Sequence, residues 1–101
     1  MRSYYTEYTN HMLRVYYAKA VNLSDVEQLN VAIVKDVLEN GKCPVEGELL
    51  KECLSYIYNP PCEDFGGRVE QFAALKDIKV RDVYAILARV SKVLATERGL
   101  I

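Results

Sequence analysis

The feature that most limits what this chain can become is the spacing of its apolar residues, which runs in steps of three and four almost from end to end. Such steps line up on one face of a helix, whereas a half-buried strand needs alternation with period two. No segment alternates long enough to make a strand. Tyr5, Tyr8, Met12, Val15 and the stem of Lys19 form the stripe of a first helix predicted from Ser3 to Ala20, widened by Tyr4, His11 and Tyr16. After the break at Val21-Asn22-Leu23, Ser24 and Glu27 have the spacing of a capping box, in which each side chain satisfies a free backbone N–H. The second helix then runs through Val26, Leu29, Ile33 and Val37, with Val31, Val34 and Leu38 beside them, and stops at Asn40-Gly41. A third helix is predicted from Pro44 to Tyr58, burying Leu49, Leu50, Cys53, Leu54, Ile57 and Tyr58 before Asn59-Pro60-Pro61 ends it. The stretch Asn59 to Gly67 is the one irregular segment of any length. The fold class is all-α, with about five helices in residues 1–101.

A length of 101 residues sets an expectation of one domain, with N-terminal helices over 1–58 and a distinct C-terminal part over 68–98. Half of the residues are hydrophobic and the formal net charge is only -1, which excludes an intrinsically disordered chain. No apolar run approaches the ~20 residues that cross a bilayer, so no membrane association is expected. The opening Met1-Arg2-Ser3-Tyr4-Tyr5 turns polar at Thr6-Glu7 and holds no signal-peptide core, which sets an expectation of a cytoplasmic protein. Cys43, Cys53 and Cys62 lack paired close spacing and are expected as free thiols. The only other good ligand, His11, is far away in sequence, and no C-x2-C or H-x3-H element is present, so no zinc site is expected. Cys53 reads as a small core residue, and no cofactor is expected.

Charge divides the chain. Residues 1–67 carry six basic and ten acidic side chains, a net of -4, while residues 68–101 carry seven basic and four acidic, a net of +3. A basic third on an acidic body is what a modest nucleic-acid-binding face looks like. Within that third, Ala73, Asp77, Ile78, Val83 and Ile86 have the spacing of a helix-turn-helix: a small residue at the close crossing, a turn residue four on, then apolar residues on the second helix. Val69 and Phe72 add the inward face of the first helix of the pair. Asp77 stands where the turn favours Gly, and Asp tolerates the left-handed region better than most residues. The second helix is predicted to start at Lys79 or Val80 and to bury Val83, Ile86, Leu87 and Val90. Its outward positions are Lys79, Arg81, Asp82, Tyr84, Ala85 and Arg89. Arg81 suits a bidentate contact to guanine, and Asp82 suits cytosine N4 or the orientation of Arg81. Lys79, Arg89 and Lys92, with Arg68 at the start of the preceding helix, suit phosphates.

The chain also resembles, over nearly its whole length, small proteins encoded by phages and other mobile elements of low-GC Gram-positive bacteria. The likeness rests on Tyr4-Tyr5 followed by Asn10-His11-Met12-Leu13-Arg14, and on the close Glu97-Arg98-Gly99-Leu100-Ile101. The stretch Val69 to Leu94 is similar to the helix-turn-helix with which bacterial sigma factors read the promoter −35 element. Lys76 stands where that pattern has an apolar residue, with Leu75 the residue to take its role. The resemblance implies a regulator borne by a phage or mobile element, with double-stranded DNA as partner.

No enzyme is expected. His11 has no nucleophile or carboxylate spaced to work with it and reads as a partly buried structural histidine. Gly66-Gly67 belongs to no phosphate-binding motif and reads as freeing the backbone before a helix, so no small-molecule substrate is implied. Tyr4, Tyr5, Tyr8, Tyr16 and Tyr17 cannot all face one core, because adjacent helical residues point about 100° apart. The remainder suits an interface, with a second copy or with a host protein. The competing function is therefore a phage-encoded inhibitor that keeps the helical fold and grips a host factor, such as RNA polymerase or the target of an anti-CRISPR protein. A structural accessory in phage assembly or DNA packaging is the third reading.

Overall fold

Five helices appear in a computed structural model that describes residues 4–19, 21–43, 47–59 and 64–101. They are α1 Thr6–Ala18, α2 Asp25–Glu39, α3 Gly47–Tyr58, α4 Phe65–Lys76 and α5 Val80–Arg98, and the described residues contain no strand. Ser3, Ala20, Pro44 and Cys62, on which part of the sequence reading falls, lie outside the described residues.

The ends of the helices follow local chemistry. Ser24 and Glu27 form the full capping box at the start of α2, each side chain bonded to the other's backbone N–H. At its far end Gly41 takes a φ of 65° and the Lys42 N–H closes on the Val37 carbonyl. α1 is shorter than predicted: Lys19 is not a continuation of the stripe but a left-handed cap with φ 52°. α4 begins three residues before Arg68, so Gly66 and Gly67 lie inside its first turn rather than ahead of it. Asp64 is the reason, since its carboxylate accepts from the Gly67 N–H at 2.9 Å and starts the helix. A Cβ on residue 67 would collide with that carboxylate and would require Asp64 to shift away from its capping position.

α5 is the hub and packs on each of the other four helices. The core joins Met12 and Leu13 of α1, Val34 and Val37 of α2, Leu50, Cys53, Leu54 and Ile57 of α3, Val69 and Phe72 of α4, and Val83, Val90 and Leu94 of α5. A radius of gyration of 13.0 Å is what a compact chain of about 100 residues has.

Two predicted faces are rotated. α1 buries Thr9, Met12 and Leu13, while His11 points away from them and is exposed, not partly buried. α2 buries Asn30, Val34, Val37 and Leu38 and leaves Val26 and Leu29 uncovered. Both shifts have one cause: a polar residue with an internal partner takes a core position. Thr9 Oγ1 meets Ser91 Oγ of α5 at 2.5 Å. Asn30 donates to Tyr8 Oη at 3.1 Å and accepts from Arg98 Nε at 2.8 Å. Each polar group therefore enters the interior already satisfied.

Candidate nucleic-acid interface

The helix pair that would hold DNA is closed by a left-handed residue. Asp77 has φ 53° and ψ 46°, its N–H turns back to the end of α4, and the Ile78 N–H bonds the Ala73 carbonyl at 3.0 Å. This is the Schellman pattern, normally the place of glycine. Ala73 is buried and Ile78 half-buried against the core, while Val83, Ile86 and Val90 of α5 face inward as the spacing requires. Leu75 does not take the role expected of it: it is 67% exposed, because it follows the inward positions Phe72 and Ala73 on the outer side of α4. Lys76 beside it forms an ion pair with Glu52 of α3.

α5 starts at Val80 with Lys79 as its N-cap residue, and the Lys79 carbonyl accepts from the N–H of Asp82 at 2.9 Å. Lys79, Arg81, Asp82, Tyr84, Ala85, Arg89 and Lys92 are all exposed. At about 100° per residue, Arg81, Ala85 and Lys92 lie opposite the buried Val83 and Val90. From Lys79 to Lys92 the face runs about 20 Å, at roughly 1.5 Å per residue. Among the described residues, the side chains of Lys79, Arg81, Arg89 and Lys92 have no hydrogen-bond or ion-pair partner. Asp82 is the one acid on this face. The Tyr84 ring, 46% exposed, carries its hydroxyl back toward α4, where it stands 4.0 Å from the place of a Cβ on Gly66.

Cations elsewhere are occupied or scattered. Lys42 bridges Asp36 at 2.5 Å and Glu97 at 3.3 Å, which raises its own affinity for the proton and lowers that of Asp36. Arg68 is set apart from the α5 cations: it is half-buried, donates to the Tyr56 carbonyl at 3.1 Å and lies 5.6 Å over the Tyr56 ring. The guanidinium ties α4 to α3 because the ring and the carbonyl of one residue offer it both a π-face and an acceptor. Arg14, Lys35 and Lys51 are exposed on three different helices.

The N-terminal tyrosines do not gather into one patch. Tyr4, 80% exposed, donates its hydroxyl to the Leu100 carbonyl at 2.7 Å and meets Tyr5 edge-on. Tyr8 lies beneath Arg98, and Tyr16 packs edge-on against Tyr17. Tyr17 stacks on Tyr58 of α3, and burial raises the pKa of both phenols. The Tyr58 hydroxyl in turn donates to Asn10 Oδ1 at 2.6 Å. Cys53 is fully buried, which pushes its thiol up to about 12. The described residues hold no group of three or more metal-ligating side chains, and none of their helices is long and apolar enough to cross a membrane.

The sequence reading missed the Asn30–Arg98–Tyr8 cluster and the Thr9–Ser91 pair. A signal existed for the first: Asn30 precedes Val34 by four and Val37 by seven, which are core-face steps. The class these features define is a small all-α protein of five helices among the described residues. No family model, curated protein or solved structure matches the chain.

Proposed function

We propose that the chain is a DNA-binding regulatory protein that sets the outer face of α5 in the major groove of a duplex. One observation carries the reading: three cations of α5 and its N-cap residue Lys79 stand exposed after a left-handed turn, and none of their side chains has a partner among the described residues. Arg81, in the first turn of α5, reads guanine through O6 and N7, with Asp82 orienting it or accepting from cytosine N4. Lys79, Arg89 and Lys92 hold phosphates, and Tyr84 borders the contact. The exposed Ala85, one turn after Arg81, lets the helix come close to the base edges. The resemblance to phage and mobile-element proteins supports transcriptional control in the bacterial cytoplasm as the setting.

Fluorescence anisotropy with random duplex DNA at low and near-physiological salt is the test. Three phosphate contacts predict log K falling with log salt at a slope of about -2.7. Lys92→Ala shallows that slope by about 0.9 and weakens all duplexes alike. Absence of binding at low salt overturns the reading.

A further inference from the structure

The apolar arc of α2 is wider than the core it covers. Val26 and Leu29 are 51% and 48% exposed, and Ile33, next along the same line, is only partly buried. A single exposed leucine means nothing, but these three stand at i, i+3 and i+7 and fall within about 60° of one another on the helix. That is the spacing by which one helix anchors another. The charges of α2 point to what covers the stripe. The helix carries Asp25, Glu27, Asp36 and Glu39 against one cation, Lys35, a net of -3. Lys35 follows Val26 by nine residues and so projects about 180° away from the stripe. Asp25 and Asp36 border it, and Lys42 offsets part of the charge on Asp36.

We propose that the Val26–Leu29–Ile33 stripe is a docking surface for a basic amphipathic helix of a partner protein. The partner's apolar side chains cover the stripe, and its flanking Lys or Arg residues meet the acids of α2. A second copy joined through the same face would set two helices of net charge -3 against each other, a like-charge juxtaposition that disfavours the pair. This surface belongs to a different helix from the α5 cations and stands or falls independently of DNA binding.

The full chain is titrated against two labelled model helices of about 18 residues, or five turns: one of Leu and Lys, one of Leu and Glu. The expected result is saturable binding of the Leu/Lys helix and none of the Leu/Glu helix at near-physiological salt. Leu29→Asp is expected to weaken binding by about tenfold, the size of a buried apolar anchor, although it makes the protein more acidic. Leu75→Asp, the same charge change at an exposed leucine of α4, is expected to leave affinity within about twofold, as rim positions do. Circular dichroism checks that each variant is folded, and Leu29→Ser serves in place of Leu29→Asp if that variant is not. Failure of the Leu/Lys helix to bind overturns the proposal, as does equal or tighter binding to the Leu29 variant. Equal loss in Leu75→Asp overturns it too. So does sedimentation equilibrium showing a dimer or polymer that Leu29→Asp dissolves, since the occupant would then be a second copy.

Discussion

α1 and the outer face of α5 are both rich in side chains with polar tips, and the fold treats them in opposite ways. On α1 the tips are joined to the rest of the molecule: Tyr8 to Asn30, Thr9 to Ser91, Asn10 to Tyr58. On the outer face of α5 the side chains of Arg81, Arg89 and Lys92, and of the N-cap residue Lys79, join nothing else among the described residues. The same helix is tied in elsewhere: Ser91 on its inner face, and Glu97 and Arg98 in its last turn, bond or pair with α1, the Lys42 turn and α2. The contrast separates side chains that hold the architecture from those without a partner among the described residues. It also explains why five tyrosines within seventeen residues need not signal a partner surface: Tyr8, Tyr16 and Tyr17 pack against the core, and Tyr8 and Tyr17 reach other helices.

The comparison is tested most severely at Asn30. Asn30→Leu removes the acceptor of Arg98 and the donor to Tyr8 at a buried site. The expected loss is about 2–4 kcal/mol of stability, because a half-buried guanidinium loses its acceptor. Chemical denaturation measures it, and a loss under about 0.5 kcal/mol, the range of ordinary surface changes, would break the assignment of these groups to architecture. Arg81→Ala is the opposite case. Its stability is expected within about 0.5 kcal/mol of the parent, since none of the described residues holds the side chain. Its discrimination between a selected duplex and random DNA is expected to fall by about 1–3 kcal/mol. If Arg81→Ala instead destabilises the protein while binding DNA normally, the two faces have been assigned the wrong way round.

Much of the fold was legible because helix periodicity and end signals are local. The α2 capping box, the Asn40-Gly41 stop, the stripe of α3 and the Ala73–Ile86 spacing needed only near neighbours in sequence. The rotations of α1 and α2 were not legible, because they depend on pairs 82, 22 and 68 residues apart. A hydrophobic pattern ranks Val26 and Leu29 above Asn30, and only a partner such as Arg98 reverses that order. Among the candidate site residues, the exposed face of α5 follows from helical geometry once Val83, Ile86 and Val90 are inward. Arg68 does not, since nothing local announces the Tyr56 carbonyl and ring that receive it.

A finer test of the joined side is the Thr9–Ser91 pair, buried between α1 and α5. Thr9→Val keeps the shape and removes the hydroxyl, leaving Ser91 without its partner. The expected cost is about 1–2 kcal/mol in thermal or chemical unfolding. Adding Ser91→Ala is expected to recover part of that loss, because the orphaned hydroxyl is gone, so the two changes are non-additive. Strict additivity would mean that the hydroxyls do not act as a pair, and would blunt the contrast with the outer face of α5.

The smallest expected effect lies at the turn that leads into α5. Asp77 holds a φ of 53°, a conformation that a residue with a Cβ adopts at a cost. Asp77→Gly is therefore expected to stabilise the fold by a few tenths to about 1 kcal/mol; the gain is limited because glycine also frees the unfolded chain. Asp77→Ala keeps the Cβ and loses the tolerance of the left-handed region that Asp has, so it is expected to destabilise by about 1 kcal/mol. The two substitutions of one residue, moving melting temperature in opposite directions, isolate backbone strain from any contact of the carboxylate. If both destabilise, the carboxylate itself supports the turn. If the glycine variant is stabler and binds DNA unchanged, the left-handed geometry alone suffices to present α5.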